Sequence, residues 1–301
     1  MIVTVTGIGL WTRGLHGWQD FCDGLEDGFR ALEDEFQAPK PGAIAARERR
    51  RAGLTINLAV EVMHQACEMG GAEKPSIASV FASAMGDTDV TDYMCRKLAS
   101  DEKLLSPTRF HNSVHNATSG YWSISASNRQ PSSFVGGFRE SFACGLLEAS
   151  ACALEEDLAV GLAAYDIVNA APFDDVLPVS ETLGLAMLML PGAHDDGWRL
   201  ELTMQRRTGL ATPPRHPALR RLAHANPIGT GLALLEAMAE GAARELEFPL
   251  GSGSSLRVVV GAGGPGESRS GDRSHTSASG DRSHTAASGD RSHSSVDRCH
   301  R

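Results

Sequence analysis

The sequence of 301 residues contains no uninterrupted apolar run long enough to cross a membrane, and its first residues lack the basic and apolar segments of a signal peptide. It also lacks a long basic run: 28 lysines and arginines stand against 37 aspartates and glutamates, a formal charge of −9. Nucleic acid is therefore excluded as the main partner, because the charge needed to neutralise phosphates is missing. These absences predict a globular cytoplasmic protein whose partner is a small molecule or another protein.

The cysteines are few and irregularly placed. The six of them form no CxxC pair, and without a secretory signal they are expected to be reduced thiols. His111 and His115 lie four residues apart and share a helix face, but no third metal ligand accompanies them. We therefore expect neither a metal nor a cofactor.

Large apolar residues are absent from the end of the chain. Three nine-residue units, SGDRSHTSA, SGDRSHTAA and SGDRSHSSV, run from Ser270 to Val296. Such a segment buries too little surface to offset its ordering entropy, so residues 263–301 are predicted to be a disordered tail after a folded domain of residues 1–262. The repeats carry a regularly spaced histidine, but a flexible chain offers no preformed metal geometry.

Within residues 1–262, strand and helix patterns alternate. Strands are predicted over residues 2–6, 76–84, 131–135, 158–165, 198–205 and 256–260, and helices over 18–32, 49–69, 89–99, 105–124, 140–155 and 228–244. Residues 180–190 suit either a strand or a buried helix. Alternation of this kind indicates the α/β class, with a mostly parallel sheet covered by helices on both faces.

Several dispersed motifs in residues 1–170 resemble the β-ketoacyl synthases, condensing enzymes of the thiolase fold that extend acyl chains on acyl carrier protein. They are the opening strand Ile2-Val-Thr-Val-Thr-Gly, the Arg49-Arg-Arg-Ala-Gly stretch before an Ala-rich helix, Ser83-Ala-Met-Gly-Asp, and Ser106-Pro through His115-Asn-Ala to Gly120. Within that family the chain looks most like the short chain-length-factor-like proteins of aryl polyene pigment clusters. The resemblance implies a thiolase-like mixed sheet with a shortened C-terminal half.

The resemblance also locates the catalytic nucleophile, which in the family is a cysteine at a helix N-terminus followed by an acidic residue a little under 30 positions later. Counting back from Asp166 and forward from Pro131 reaches Arg139, which has no thiol. Cys144 lies inside the following helix, and Cys152 leaves too little chain for a helix and a strand before Asp166. Both are interpreted as small core residues. The family's two histidine motifs are also missing.

Two further groups of candidates follow from the resemblance. The segment after Pro107 and the strand after it correspond to the family's dimer interface and acyl channel, so the channel or interface candidates are Phe110, His111, Val114, Ala117 and Phe134. Arg49, Arg50 and Arg51 form a basic cluster that suits docking of an acidic carrier protein. The alternative interpretation of these arginines is a solvated helix start with a structural arginine.

The leading hypothesis is a non-catalytic subunit that pairs with an active ketosynthase and shapes its acyl channel in polyketide, aryl polyene or fatty-acid-type elongation. Two alternatives stay open. One is an active acyltransferase or condensing enzyme that uses Cys144, and the other is a homodimeric module that binds acyl carrier protein.

Overall fold

The computed structural model describes residues 1–206, 209–251, 253–262 and 264. The nine-residue repeats lie outside these residues, as do their histidines. The division into a folded domain and a disordered tail therefore stays a prediction.

Strands and helices alternate along the described chain. The strands are β1 (Ile2–Trp11), β2 (Ala78–Ala82), β3 (Ser132–Val135), β4 (Val160–Asp166), β5 (Leu183–Pro191), β6 (Trp198–Gln205), β7 (Arg244–Gly251) and β8 (Ser254–Val260). The helices are α1 (Trp18–Asp27), α2 (Ala46–Met69), α3 (Thr88–Ala99), α4 (Pro107–Asn112), α5 (Ala117–Ser125), α6 (Ser141–Glu156), α7 (Pro217–Ala225) and α8 (Leu232–Glu240). Short 3-10 turns precede α6 at Phe138–Glu140 and α8 at Pro227–Gly231.

All eight strands form one mixed sheet in the order β3-β2-β4-β5-β1-β6-β8-β7. The α/β class, the mixed sheet and the helices on both faces are confirmed. The expected proportion of parallel strand pairs was too high. Only β2–β3 and β2–β4 pair in parallel, and the other five pairings are antiparallel. The reason is that β5 and β8 follow their neighbours β4 and β7 without an intervening α-helix, so the chain reverses.

The sheet separates two hydrophobic cores. Along β4, Leu162 and Ala164 point into the core under α6 and α8, whereas Ala163 and Tyr165 point into the core under α2 and α5. Both sets are buried, which explains why β4 has a continuous apolar run instead of an alternating one. The result is a helix–sheet–helix sandwich.

Glycines in β1 allow α2 to approach the sheet with its backbone. A Cβ atom placed on Gly7 would lie 2.0 Å from the carbonyl oxygen of Ala66, and one on Gly9 would lie 1.9 Å from that of Val62. Ala66 and Val62 are one turn apart on α2, so the helix lies along two glycines of the strand. Any side chain there would push the helix away from the sheet.

Several predicted boundaries were wrong. The helical pattern over residues 105–124 is two helices, α4 and α5, and the helix expected to reach Arg244 ends at Glu240. Arg244 instead begins β7, and neither β7 nor α7 was predicted. The ambiguous segment 180–190 contains a strand, β5. Helix α2 starts earlier than expected and bends at Gly53, whose φ of 79° is left-handed.

The contact between β1 and α2 predicts a large effect of a single methyl group. We expect Gly7→Ala to lower the free energy of unfolding by about 3 kcal/mol, because the added Cβ collides with helix backbone that cannot rotate away. The measurement is urea unfolding followed by circular dichroism. Gly120→Ala on α5 is the matched control: its Cβ meets nothing within 4 Å, so this variant should be at least as stable as the wild type. Equal stability of the two variants would contradict the prediction.

Candidate functional site

The parallel strands β2, β3 and β4 end at the same edge of the sheet. Residues 83–87 follow β2, residues 136–140 follow β3 and lead into α6, and β4 ends at Asp166. In α/β sheets, ligands bind beyond the carboxyl ends of the strands. This edge is therefore where we place the candidate site.

The carboxylate of Asp166 organises the turn after β2. It accepts hydrogen bonds from the Ser83 hydroxyl at 2.6 Å and from the backbone N–H groups of Ala84 and Met85 at 3.0 and 3.2 Å. Burial raises the pKa of Asp166 to about 6, although these three hydrogen bonds favour the charged form. The buried group thus fixes the β2 turn against the end of β4.

Asn226 ties the C-terminal half to the same point. Its amide donates to the backbone oxygen of Asp166 at 3.0 Å and to that of Glu181 at 2.8 Å, and its side-chain oxygen accepts from Ile228 at 2.9 Å. One buried amide therefore connects the end of β4, the segment before β5 and the 3-10 turn before α8.

Arg139 lies in the 3-10 turn directly before α6, and its side chain is exposed. Its guanidinium carbon is 5.7 Å from the centroid of the Phe138 ring. Phe138 has a left-handed φ of 55°, and the Ser141 hydroxyl closes the turn by donating to the Phe138 oxygen at 2.8 Å while accepting from Gly137 at 2.9 Å. The turn thus presents Phe138 and Arg139 outward at the start of the helix.

Cys144 lies one turn inside α6 and is half-buried. Its sulfur packs against the backbone of Gly137, where a Cβ atom would come within 2.8 Å of Sγ. Burial, and to a lesser degree the negative charge of Glu140, raises the pKa of the Cys144 thiol. A nucleophilic cysteine needs the opposite shift, because the thiolate is the attacking species.

A cavity of about 240 Å³ lies beside this edge, between α2, the turn after β2 and the segment that joins α4 to α5. Three of the candidates, Val114, Ala117 and Phe134, line it. The ring of His115 also lines it and lies 4.9 Å from the Phe134 ring, tilted by 32°. Phe134 and His115 together form an aromatic wall.

The buried polar side of the cavity is made by hydrogen-bonded pairs. The Tyr165 hydroxyl donates to Thr118 at 2.9 Å, and burial raises the pKa of Tyr165 well above its usual range. The Thr55 hydroxyl donates to Asp87 at 3.0 Å, and Asp87 also caps α3 through the N–H of Val90. These pairs leave the cavity polar on one side and aromatic on the other.

The two other channel candidates do not line this cavity. Phe110 is 60% exposed on α4, and His111 is exposed with its ring 6.1 Å from that of Tyr121. Their position at the surface suits an interface better than a channel. His115 was not among the predicted channel residues, although its spacing from His111 suggested a shared helix face. Residues 113–116 separate α4 from α5, and the ring of His115 lies against Phe134.

The three candidate docking arginines differ in their availability. Arg49 donates to the carbonyl oxygens of Pro41 and Lys40 at 2.9 and 3.3 Å, which holds the preceding loop against α2. Arg51 forms an exposed ion pair with Glu48 at 3.3 Å. Arg50 is exposed and has no hydrogen-bond or ion-pair partner among the described residues. Arg50 is therefore the member of the cluster that is free to contact a partner.

Among the described residues, no three His, Cys, Asp or Glu side chains come together in a way that could hold a metal ion. None of the helices in the same part of the chain has both the length and the apolarity needed to cross a membrane.

The buried carboxyl of Asp166 predicts a pH dependence of stability. The folded protein holds this proton more tightly than the unfolded chain does, so the stabilisation is complete below about pH 4 and is lost as the pH rises through about 6. We expect the stability of the wild type relative to Asp166→Asn, which cannot ionise, to fall by about 3 kcal/mol over that interval. Urea unfolding at a series of pH values measures the difference. A difference independent of pH would contradict the assignment.

Comparisons with solved structures agree on the fold. The chain aligns with the structure described as a ketosynthase (ApeO) in complex with its chain length factor (ApeC) from Xenorhabdus doucetiae, with a TM-score of 0.66 and 19% identity over 86% of this chain and 99% of that one. The ishigamide ketosynthase/chain length factor aligns with a TM-score of 0.62 and 16% identity over 88% of this chain and 100% of that one.

A third similar structure is a type II polyketide synthase acyl-carrier protein in complex with its ketosynthase bound to the hexaketide (AntDE:AntF), with a TM-score of 0.64 and 10% identity over 87% of this chain and 99% of the other. No curated protein sequence matches the chain. The family model described as "Beta-ketoacyl synthase, N-terminal domain" matches residues 25–245, which is more than half of the sequence. The chain therefore belongs to the β-ketoacyl synthase N-terminal domain family.

Proposed function

We propose that this protein is a non-catalytic, chain-length-factor-like subunit that pairs with a catalytic ketosynthase and shapes the acyl channel during chain elongation on acyl carrier protein. The observation that carries the proposal is the composition of the turn before α6. A member of a condensing-enzyme family has Phe138, Arg139 and Glu140 at the helix start to which the resemblance assigns the nucleophile.

The chemistry of this turn supports the proposal. Claisen-type condensation in this family starts with attack by a thiolate on a thioester, and an arginine side chain is neither a nucleophile nor an acceptor at neutral pH. The only thiol close to the turn among the described residues, that of Cys144, has a pKa raised by burial. Catalytic groups that act as a unit lose nearly all of their effect when one is removed.

The exposed edge of β3 supports pairing with a second subunit. Among the described strands β3 hydrogen-bonds only with β2, so its outer edge is open to another chain. On the segment that precedes β3 in the chain, the side chains of Phe110 and Val114 are 60% and 53% exposed. The resemblance assigns this segment and strand to the family's dimer interface, and two of the similar structures are described as ketosynthases with chain length factors.

The aromatic wall supports a role in limiting chain length. Phe134 is on the interface strand β3 and its ring closes the cavity together with His115. A side chain at this position can stop a growing acyl chain by occupying its path. Val114 lines the same cavity and is 53% exposed, so this side of the cavity reaches the surface proposed as the interface.

The basic cluster supports a contact with acyl carrier protein, an acidic partner. Arg50 is the side chain free to make it, with Arg51 available when its exposed pair with Glu48 opens. Arg49 instead donates to the Pro41 oxygen and holds the loop before α2.

The decisive experiment is reconstitution with a cysteine-containing ketosynthase and acyl carrier protein. We expect a stable complex of the two subunits, and we expect Phe134→Ala to lengthen and Phe134→Trp to shorten the products measured by mass spectrometry. Leu210→Ala is the control, since Leu210 is 93% exposed beside β7, at the opposite edge of the sheet. Failure to form the complex, or the same product distribution with all three variants, would overturn the proposal.

The alternative, an active acyltransferase that uses Cys144, makes a different prediction. It requires the Cys144 thiolate to attack an acyl-carrier thioester, so that the acyl group moves to Sγ and the carrier thiol leaves. Because the pKa of this thiol is raised, we expect no acyl adduct after incubation of the protein with the acylated carrier. Intact-mass analysis of the wild type and Cys144→Ala tests this, and an adduct found only in the wild type would favour the enzyme.

A further inference from the structure

A second cavity, of about 320 Å³, lies between α7, the loop after β1 and the 3-10 turn after α1 (Arg30–Glu33). Three arginines line it, Arg13, Arg30 and Arg221. We propose that this cavity, called here the arginine pocket, binds a small organic anion: a carboxylate that carries a short hydrocarbon group. This inference is independent of the proposed function.

The arginines of the pocket have hydrogen-bonding capacity to spare. Neither Arg30 nor Arg221 has a hydrogen-bond or ion-pair partner among the described residues. Arg13 forms an ion pair with Glu181 at 3.0 Å, yet its Nε atom is buried without a partner. An incoming carboxylate would supply acceptors for the exposed guanidinium groups of Arg30 and Arg221.

The charge of the pocket differs from that of the whole chain. The pocket is lined by three guanidinium groups and by two carboxylates, those of Glu33 and Glu181. In the whole sequence, by contrast, acidic residues outnumber basic ones. A guanidinium presents a planar fork of donors that matches the two oxygens of a carboxylate. The excess of positive charge therefore selects an anion.

Apolar side chains form the floor. Ala218, Leu222 and Ala225 follow one another at helical spacing along one face of α7 and all line the pocket. Phe29 and Leu32 complete the apolar surface from the turn after α1. An inorganic ion would leave this floor uncovered, whereas an anion with a hydrocarbon part would bury it.

The walls are fixed before any ligand binds. Gly28 and Phe29 both have left-handed φ angles, 81° and 59°, which turn the chain so that Arg30 follows at the rim. The Phe29 N–H donates to the Gly24 oxygen at 2.8 Å, and its ring packs on His216, the N-cap of α7, at 4.9 Å. A phenylalanine held at positive φ is strained, and such strain is concentrated at functional sites.

A second connection fixes the other side. The Ser180 N–H donates to the oxygen of Ala225, the last residue of α7, at 3.0 Å. The side-chain amide of Asn226, the next residue, donates a hydrogen bond to the backbone oxygen of Glu181. The carboxylate of Glu181 forms the ion pair with Arg13. The three arginines thus belong to segments that are connected to one another, so a ligand would bind with little loss of conformational entropy.

The experiment measures binding of hexanoate to the full chain by isothermal titration calorimetry, with acetate, 1-hexanol and inorganic phosphate as comparison probes. We expect saturable binding of hexanoate, weaker by at least about tenfold for each comparison probe, since each lacks either the apolar group or the carboxylate. Arg30→Ala and Arg221→Ala should each weaken hexanoate binding by at least about tenfold. Both side chains are exposed, so these variants should fold.

Arg129→Ala is the matched control, because Arg129 is an exposed arginine without a partner among the described residues and lies outside the pocket. It should bind hexanoate as the wild type does. Absence of saturable hexanoate binding overturns the inference. Phosphate binding as strong as hexanoate binding would also overturn it, because the apolar part of the ligand would then contribute nothing. So would a loss of affinity in Arg129→Ala equal to that in the pocket variants, because the ligand would then not be bound specifically in the pocket.

Discussion

The carboxyl group of Asp166 is the constraint on which the candidate site depends. An acidic group at the end of a buried strand costs free energy unless its oxygens are hydrogen-bonded, and the turn after β2 supplies those bonds through Ser83, Ala84 and Met85. The turn can therefore occupy only one position relative to β4. Because Asn226 binds the backbone of the same residue, the C-terminal half is fixed to this point as well.

The second constraint is the approach of α2 to β1. Gly7 and Gly9 let the helix backbone touch the strand, which places the first turns of α2 and the bend at Gly53 next to the turn after β2. Thr55, just beyond the bend, reaches Asp87 at 3.0 Å. The cavity is the space left between these fixed parts and the segment that carries His115, so its shape follows from backbone packing.

The chain has the fold of its family, and the residues directly before α6 are Phe138, Arg139 and Glu140. A helix N-terminus stabilises a thiolate only when a thiol is there, and in this chain the guanidinium of Arg139 points to solvent instead. Beside this turn, Phe134, His115 and the hydrogen-bonded Tyr165–Thr118 pair line the cavity. The proposed function assigns these side chains to a subunit that limits a channel. The arginine pocket, built on α7 and the turn after α1, involves a different set of residues.

The sequence by itself determined the α/β class, most of the strands and helices of the first 170 residues, and the family, because hydrophobic periodicity and short motifs are local properties of the chain. It also carried a signal for β7, whose Leu246 and Phe248 alternate with glutamates, and for α7, which has a proline in its first turn; both were missed. Only the tertiary structure decided the strand directions, the exposure of Phe110 and His111, the contact of His115 with Phe134 and the meeting of three arginines in one pocket. These depend on contacts between residues far apart in the chain, whose side-chain directions are set by packing and not by local sequence.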